Sequence, residues 1–362
     1  MTGQSFYENF KKFYPKNEGE IYIFKTAYGL IMLGEAISEA ERRVIGAGIT
    51  PDTYIGIRLL EEDMFYIRYT DSEMVYECAY ENLGAYHEKN PAAKIFRLLD
   101  RITKNINVRG AEILFMPDCD NGELSGYSEA AVIGFSNIFC QNQQPGDLLE
   151  SIIPNNTDFS QNARRLISIC AKENTFSLIE NRTPVFFSIP SLSGYKIIIT
   201  LTGEKPFKRP EFDKITKDLK DEIVDFSTFE NFADKEEISG SDLPEYRYAA
   251  FLKAEAARIA SGAICLKNGD LAGFGKLVKE SASEYISAVG KEAKNVELLF
   301  KIAAPKTVAC GIFKERGIYS IVPNAEVDNF VKSVGTLYEK KAGRSPEFYI
   351  CASSFSGEVR KK

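Results

Sequence analysis

The stretch Met116–Ala131, MPDCDNGELSGYSEAA, carries the residue types that could cradle a phosphate. An apolar run, Ala111–Met116, leads in, and an Ala-rich apolar run, Ala130–Cys140, leads out. Strand, small-residue loop and helix in that order bring backbone N–H groups and a helix N-terminus against an anion. Gly122, Ser125, Gly126 and Ser128 supply the small residues of the loop. Asp118, Asp120, Glu123 and Glu129 crowd the same place, where a nucleotide gains nothing from added negative charge. The stretch therefore reads two ways, as a phosphate loop or as an ordinary turn feeding a buried helix.

Other chemistry is thinly represented. The chain has one histidine, His87, in the polar segment Tyr86–Asn90, which reads as an exposed surface residue. A histidine-based triad, a multi-histidine metal site and a histidine base are thereby set aside, and no metal site is expected. The seven cysteines, at 78, 119, 140, 170, 265, 310 and 351, are scattered and never stand in CxxC spacing. That pattern argues for reduced thiols and a cytoplasmic setting, without a disulfide framework or a zinc site. The opening residues have no apolar core of a secretory signal, and no apolar run of about eighteen residues is long enough to span a membrane.

The 362 residues suffice for two domains or one large two-lobed unit. Apolar residues make up 44% and charged residues 27%, enough to bury sizeable cores. The net charge is −6 with both signs interspersed, so neither nucleic acid nor an anionic membrane surface is an expected partner.

The elements that must position the loop follow from apolar periodicity. Helices are predicted over Phe6–Tyr14, Pro91–Lys104, Asp158–Ala171 (capped by Asp158 or Ser160), Glu245–Leu266, Leu271–Val289 and Glu326–Lys341. Glu20–Gly34 is strand-like, and Glu35–Val44 is a charged helical or loop segment. Tyr54–Leu60 and Met64–Tyr69, rich in β-branched and aromatic residues, flank Glu61–Asp63 and predict a hairpin. Val185–Ile189 and Tyr195–Leu201 are expected to pair around Ser191–Gly194. Val308–Cys310, Ile318–Val322 and Phe348–Ala352 are further strands; Gln141–Thr157 and Glu204–Asp242 are a polar loop and a charged region. Strands and helices in blocks favour α+β over a doubly wound sheet. The domain boundary is set near Pro190–Gly194, giving lobes 1–190 and 191–362, with the last strand, 346–357, free to pack on either.

Taken in order, several segments resemble the galactokinase branch of the GHMP kinase family. Ala27–Glu35 (AYGLIMLGE) resembles the family's APGRVNLIGEH, and Ala111–Ala131 resembles its strand and PxGxGLSSSA phosphate loop. Ala171–Phe176 (AKENTF), Phe251–Ile259 (FLKAEAARI) and Phe274–Ser281 (FGKLVKES) are similar to AENEF, HVVTENERV and FGxLMNES. Pro346–Gly357 (PEFYICASSFSG) resembles the terminal PxFYVxxPGDG. The resemblance implies a two-lobed α+β fold: a ribosomal protein S5 domain 2-like N-terminal lobe, then helices on an antiparallel sheet. It also implies Mg·ATP and galactose between the lobes, with phosphoryl transfer to the sugar C1 hydroxyl.

The site residues depart from that pattern. Anchoring on Gly34–Glu35 puts Gly29 where the family has its active-site Arg, Ala36 at the sugar-binding His and Ser38 at the following Asp. Glu35 alone survives from the sugar-holding set and reads equally as a solvated carboxylate. Ser177–Thr183 (SLIENRT) is all that stands where the family carries its CGIMDQ segment and catalytic Asp, leaving Glu173 and Glu180 as the nearest acids. The glycine-rich third motif aligns with Gly311–Gly317 (GIFKERG), of which Gly311 remains; it reads as a charged hairpin turn whose Lys314 and Arg316 could meet an anion. Glu255 and Arg258, at i and i+3, predict an ion pair.

Two functions follow. One is a non-catalytic galactokinase-like protein with a binding or regulatory role, which could still take a sugar or nucleotide between its lobes. The other is an active ATP-dependent sugar or small-molecule kinase with a rebuilt site, using Lys25, Arg42 or Arg43 for phosphate and Asp118 or Asp120 as base. A protein partner is not specified by anything in the sequence.

Overall fold

The computed structural model describes residues 2–16, 18–36, 43–86, 90, 92–103, 108–119, 124–139, 159–180, 183–208 and 244–359. His87, Asp120, Gly122, Ser38, Arg42, Cys140 and the segments Gln141–Thr157 and 209–243 lie outside them.

The described residues form two sheets. The first has strand order β12-β1-β2-β5-β3-β4, with β6 on β2 and β7 on β6. Its strands are β1 (Tyr22–Leu33), β2 (Arg43–Leu59), β3 (Met64–Tyr69), β4 (Val75–Ala79), β5 (Ala111–Pro117), β6 (Thr175–Glu180), β7 (Thr183–Ser188) and β12 (Gly357–Glu358). The second is fully antiparallel, β11-β8-β10-β9, from β8 (Tyr195–Leu201), β9 (Ala309–Phe313), β10 (Gly317–Pro323) and β11 (Glu347–Cys351). The fold is α+β in two lobes, and β11 joins the second sheet while β12 returns to β1.

Helix α1 (Gly3–Phe13) buries Phe6 and Phe10 on one face of the first sheet against Ile23, Tyr54 and Leu114. On the other face lie α2 (Ala93–Thr103), α3 (Tyr127–Phe139) and α4 (Phe159–Ile169), packing Leu98, Leu99, Phe135 and Ile167 onto Ile55, Ile57 and Phe115. In the second lobe the alternation of β8 sorts two layers. Ile197 and Ile199 face α5 (Pro244–Lys267) and α6 (Leu271–Val289), whereas Ile198 faces α7 (Lys294–Ala303) and α8 (Val327–Ala342). Leu30, Met32, Ile45 and Ala47 of the first sheet belong to the same buried cluster as Phe251 and Phe274 of α5 and α6, so one apolar seam joins the lobes.

Two expected pairings are corrected. β2 and β3 are not a hairpin: β5 lies between them, antiparallel to β2 and parallel to β3. Its residues Ala111–Met116 are all buried and need a neighbour on both edges, which a β2–β3 hairpin would deny them. Likewise Val185–Ile189 does not pair with Tyr195–Leu201; β7 pairs β6, and β8 starts the second sheet after a 3₁₀ turn at Pro190–Gly194. SLIENRT therefore takes in most of β6 and the first residue of β7. Arg43, expected in a helical or loop segment, already opens β2.

Candidate functional site

Gly29 lies in the middle of β1, and α4 crosses it at backbone contact. A Cβ on Gly29 would stand 2.1 Å from the Arg164 carbonyl oxygen and 2.9 Å from the Ser168 nitrogen. The close approach is fixed by hydroxyls. Ser168 Oγ donates to the Ala27 carbonyl (2.6 Å), and the Thr26 hydroxyl lies 3.0 Å from Ser168 Oγ. Ser356 Oγ accepts from the Ala27 N–H (2.8 Å) and donates to the Ser168 carbonyl (2.6 Å). The C-terminal segment thus clamps α4 to β1.

That crossing carries Arg164 and Arg165 to a cleft of about 240 Å³, lined by Tyr28, Gly29, Ser125, Gly126, Glu129, Arg164, Arg165, Ser168 and Lys314. Of the expected loop residues, Ser125 and Gly126 line it, Ser128 stands in the first turn of α3 without lining it, and Gly122 lies outside the described residues. The Gly126 N–H donates to Thr53 Oγ1 (2.8 Å), and Tyr127 Oη donates to Asp71 Oδ2 (2.9 Å). Burial raises the Tyr127 hydroxyl pKa above its usual value, so it remains a donor. Arg165 Nε meets Glu129 Oε1 at 3.3 Å, and Arg164 is ion-paired with Glu35. Lys314 Nζ lies 5.4 Å from the centre of the Tyr28 ring.

Glu35 lines a smaller adjoining pocket of about 50 Å³ with Glu255, Ser281, Gly311 and Glu315. Glu255 Oε1 accepts the Gly34 N–H (2.9 Å), and Oε2 pairs with Arg258 at 3.1 Å, as the i, i+3 spacing predicts. Arg258 also pairs with Glu284. Gly311 makes room for the Tyr319 ring, 2.2 Å from where a Cβ would stand, and Tyr319 Oη donates to the Met32 carbonyl (2.6 Å). The segment after Gly311 is the β9–β10 hairpin turn, with Lys314 at φ 46° and Glu315 at φ 54°. Two successive residues in the left-handed region make a type I′ geometry, usually given to Asn and Gly.

The residues weighed for a rebuilt kinase site are engaged elsewhere. Lys25 is paired with Asp52 (2.7 Å), donates to Ser354 Oγ (3.0 Å) and lies 4.0 Å from the Phe355 ring centre. Burial raises the Asp52 carboxyl above the usual range against the pull of Lys25. Arg43 pairs with Glu180 (2.8 Å) on the surface, and Glu173 is exposed. Asp118 does not line the cleft; its N–H donates to the Asp52 carbonyl (2.8 Å).

Sequence reasoning missed Arg164, Arg165 and Ser168, whose signal is weak. They share one helix, with Arg164 and Ser168 at i and i+4, opposite a strand glycine. Little in the described part of the loop is open to an anion. A loop N–H is already taken by Thr53, Glu129 occupies the first turn of α3, and no three His, Cys, Asp or Glu side chains among the described residues come together. No described helix is long and apolar enough to cross a membrane.

No family model matches the chain. It is similar to the galactokinase of Clostridium acetobutylicum, 24% identical over 95% of both chains. Among solved structures it is similar to Lactococcus lactis galactokinase complexed with galactose, at TM-score 0.79 and 18% identity over 99% of both chains. Methanococcus jannaschii mevalonate kinase follows the fold at TM-score 0.61 and 12% identity, covering 94% of this chain and all of that one. The two-lobed α+β arrangement of helices and antiparallel sheets, matched along nearly the whole chain by these structures, defines a protein of the GHMP kinase fold. Within that class the chain is a divergent relative of the galactokinase branch.

Proposed function

We propose that the chain is a galactokinase-like binding or regulatory protein that holds a ligand in its inter-lobe cleft without transferring a phosphoryl group. The observation that carries this reading is the enclosure of Gly29. A cation cannot be restored there while α4 keeps its seat, because the space for even a Cβ is filled by helix backbone. Two further features support it. Only two residues of sequence separate β6 from β7, which leaves no chain for a base-bearing segment, and the third motif is a hairpin turn rather than an open glycine loop.

A coupled assay of ADP release with Mg·ATP and galactose tests it. The expected result is no turnover above buffer hydrolysis. Turnover within the ordinary kinase range of about 1–100 s⁻¹ overturns it.

A second reading, an ATP-dependent sugar or small-molecule kinase with a rebuilt site, draws on the convergence of Arg164, Arg165 and Lys314 on the cleft. Such cations could offset charge in a transferring phosphoryl group. ADP release stimulated by one member of a sugar and polyol panel would favour it, and silence across the panel would remove it.

A further inference from the structure

Between β11 and β12 the chain returns from the second sheet to the first as a strap. The strap first runs along the edge of β2 that β6 and β5 leave open between Ala47 and Thr53. There the Thr50 N–H donates to the Ala352 carbonyl (2.8 Å), the Ala352 N–H to Thr50 Oγ1 (2.9 Å) and the Ser354 N–H to the Gly48 carbonyl (2.9 Å). It then reaches the other side of β1, where Gly357 pairs with Lys25 and Glu358 with Phe24. A short stretch of chain thus spans the β1–β2 pair from one edge to the other.

Three serines fasten it. Ser353 Oγ accepts the Asn174 N–H (2.6 Å). Ser354 Oγ donates to Asp52 Oδ1 (2.6 Å) and accepts from Lys25 Nζ (3.0 Å). Ser356 Oγ joins the Ala27 N–H to the Ser168 carbonyl. Asn174 stands at φ 52°, and its carbonyl accepts the Ile189 N–H (2.8 Å). The outward connection between the sheets, from β7 to β8, and the returning strap are therefore bonded to one residue held in the left-handed region. Apolar burial adds little to this seat. Of residues 352–358 only Ser354 is buried, and Phe355, the one large apolar side chain, is 39% exposed. Water replaces hydroxyl bonds at small net cost once the segment lifts away. A segment with few buried apolar contacts opens at a free energy below that of global unfolding.

We propose that residues 352–358 are a reversible latch: they undock from the first sheet as a unit while both lobes stay folded, and their docking tightens the seat of α4. The link to α4 is direct. The Ser356 N–H donates to the Ala171 carbonyl (3.0 Å), two residues past the end of α4, while its hydroxyl spans the α4–β1 crossing. Because α4 carries Arg164, Arg165 and Ser168 to the cleft, the latch sets how firmly one cleft wall is held. The latch goes beyond the ligand-holding reading and requires no ligand, so it stands whether or not the chain transfers a phosphoryl group.

The experiment is amide hydrogen exchange of the full chain, read by mass spectrometry at several urea concentrations below the unfolding transition. The wild type is compared with Ser353→Ala and Ser354→Ala. In the wild type, the peptide over 352–359 is expected to exchange at least about tenfold faster than that over β10, with a weaker urea dependence, since undocking exposes little surface. Neither Ser353 nor Ser354 bonds to α4 among the described contacts. Each variant is nonetheless expected to speed exchange in the strap about tenfold and in α4 about threefold, with α6 unchanged. Exchange of the strap through global unfolding alone, with the urea dependence of β10, would overturn the proposal. A faster strap beside an unchanged α4 would overturn it as well, and so would equal acceleration of α6, which marks a global loss. Turnover in the ADP assay leaves each of these outcomes untouched, so the two readings fail separately.

Discussion

Gly29 and Arg164 meet backbone to backbone: the strand position that the resemblance assigns to a catalytic cation lies 2.1 Å, measured from an ideal Cβ, from the carbonyl of a residue that itself supplies a cation. The glycine at 29 and the placing of Arg164 beside the cleft go with one geometric feature, the close crossing of α4 over β1. Gly29→Ala should therefore cost about 2–3 kcal/mol through overpacking against helix backbone that cannot rotate away. Gly29→Arg should lose more, and should bring no kinase activity. Urea unfolding midpoints together with ADP release measure both.

Ser356 holds that crossing from a distant part of the chain. Its hydroxyl accepts the Ala27 N–H and donates to the Ser168 carbonyl, so Ser356→Ala strips a partner from each. A loss of about 1–3 kcal/mol is expected, since a buried donor left unmade costs more than a bond gains. Because α4 carries Arg164 and Arg165, the same variant should weaken binding of a ligand held in the cleft. Unchanged stability in denaturant would show that the clamp contributes nothing.

Gly311 and Tyr319 form a second coupled pair. Gly311→Ala sets a methyl 2.2 Å from the Tyr319 ring and should cost about 3 kcal/mol, breaking the bond to the Met32 carbonyl as the ring is pushed aside. Tyr319→Leu removes the obstruction, so the double variant should be more stable than the sum of the single losses by about 1 kcal/mol or more. Strict additivity in the cycle would contradict the packing role of Gly311.

Much of the fold was legible in the sequence, because periodicity reports which face of an element is buried. Leu271–Val289 is a helix over the expected residues, and Gly269, at φ 71°, ends the preceding turn as KNGD predicts. Periodicity does not say which strand lies beside which. The insertion of β5 between β2 and β3 is a long-range choice made by burial of β5 on both faces, and no local pattern encodes it. The site divides in the same way. The emptiness of position 29 and the hairpin character of Lys314–Arg316 are local and could be read. The arrival of Arg164 and Arg165 depends on a helix crossing a strand more than a hundred positions earlier, and β6 was hidden in a segment read as a remnant.

Two buried thiols give the protein a defined alkaline response. Burial pushes Cys310 and Cys351 each up to about 12. Unfolded, a thiol titrates near about 8.5. Between those values the native state holds protons that the unfolded state has released. Stability is therefore whole below about pH 8 and falls as pH rises towards about 12. The variant Cys310→Ala/Cys351→Ala should lose less between pH 8 and 10.5 than the wild type does, read from urea unfolding at each pH. In the native protein at pH 8 neither thiol should react with a thiol reagent until the chain unfolds. Equal pH slopes for the two proteins would contradict the assignment.

Lys314 joins strain to function. It occupies the first central position of a type I′ turn at φ 46°, followed by Glu315 at φ 54°, and neither residue type favours that region. Glu315 repays part of the cost by accepting the Tyr285 hydroxyl (3.2 Å) and, through its carbonyl, the Phe207 N–H (3.0 Å). Lys314 stands on the cleft wall, its Nζ 5.4 Å from the centre of the Tyr28 ring and 5.5 Å from that of Phe313. Strain kept at such a position points to a role for the side chain in the cleft. Lys314→Asn puts a residue tolerant of the left-handed region into the turn and should raise stability by about 0.5–1 kcal/mol. The same change removes a cation from the cleft and should weaken an anion bound there, inorganic phosphate being the probe, about tenfold. A gain in stability with undiminished binding would show that the turn is strained for no functional reason. A loss of stability would show that the Tyr28 contact outweighs the backbone cost.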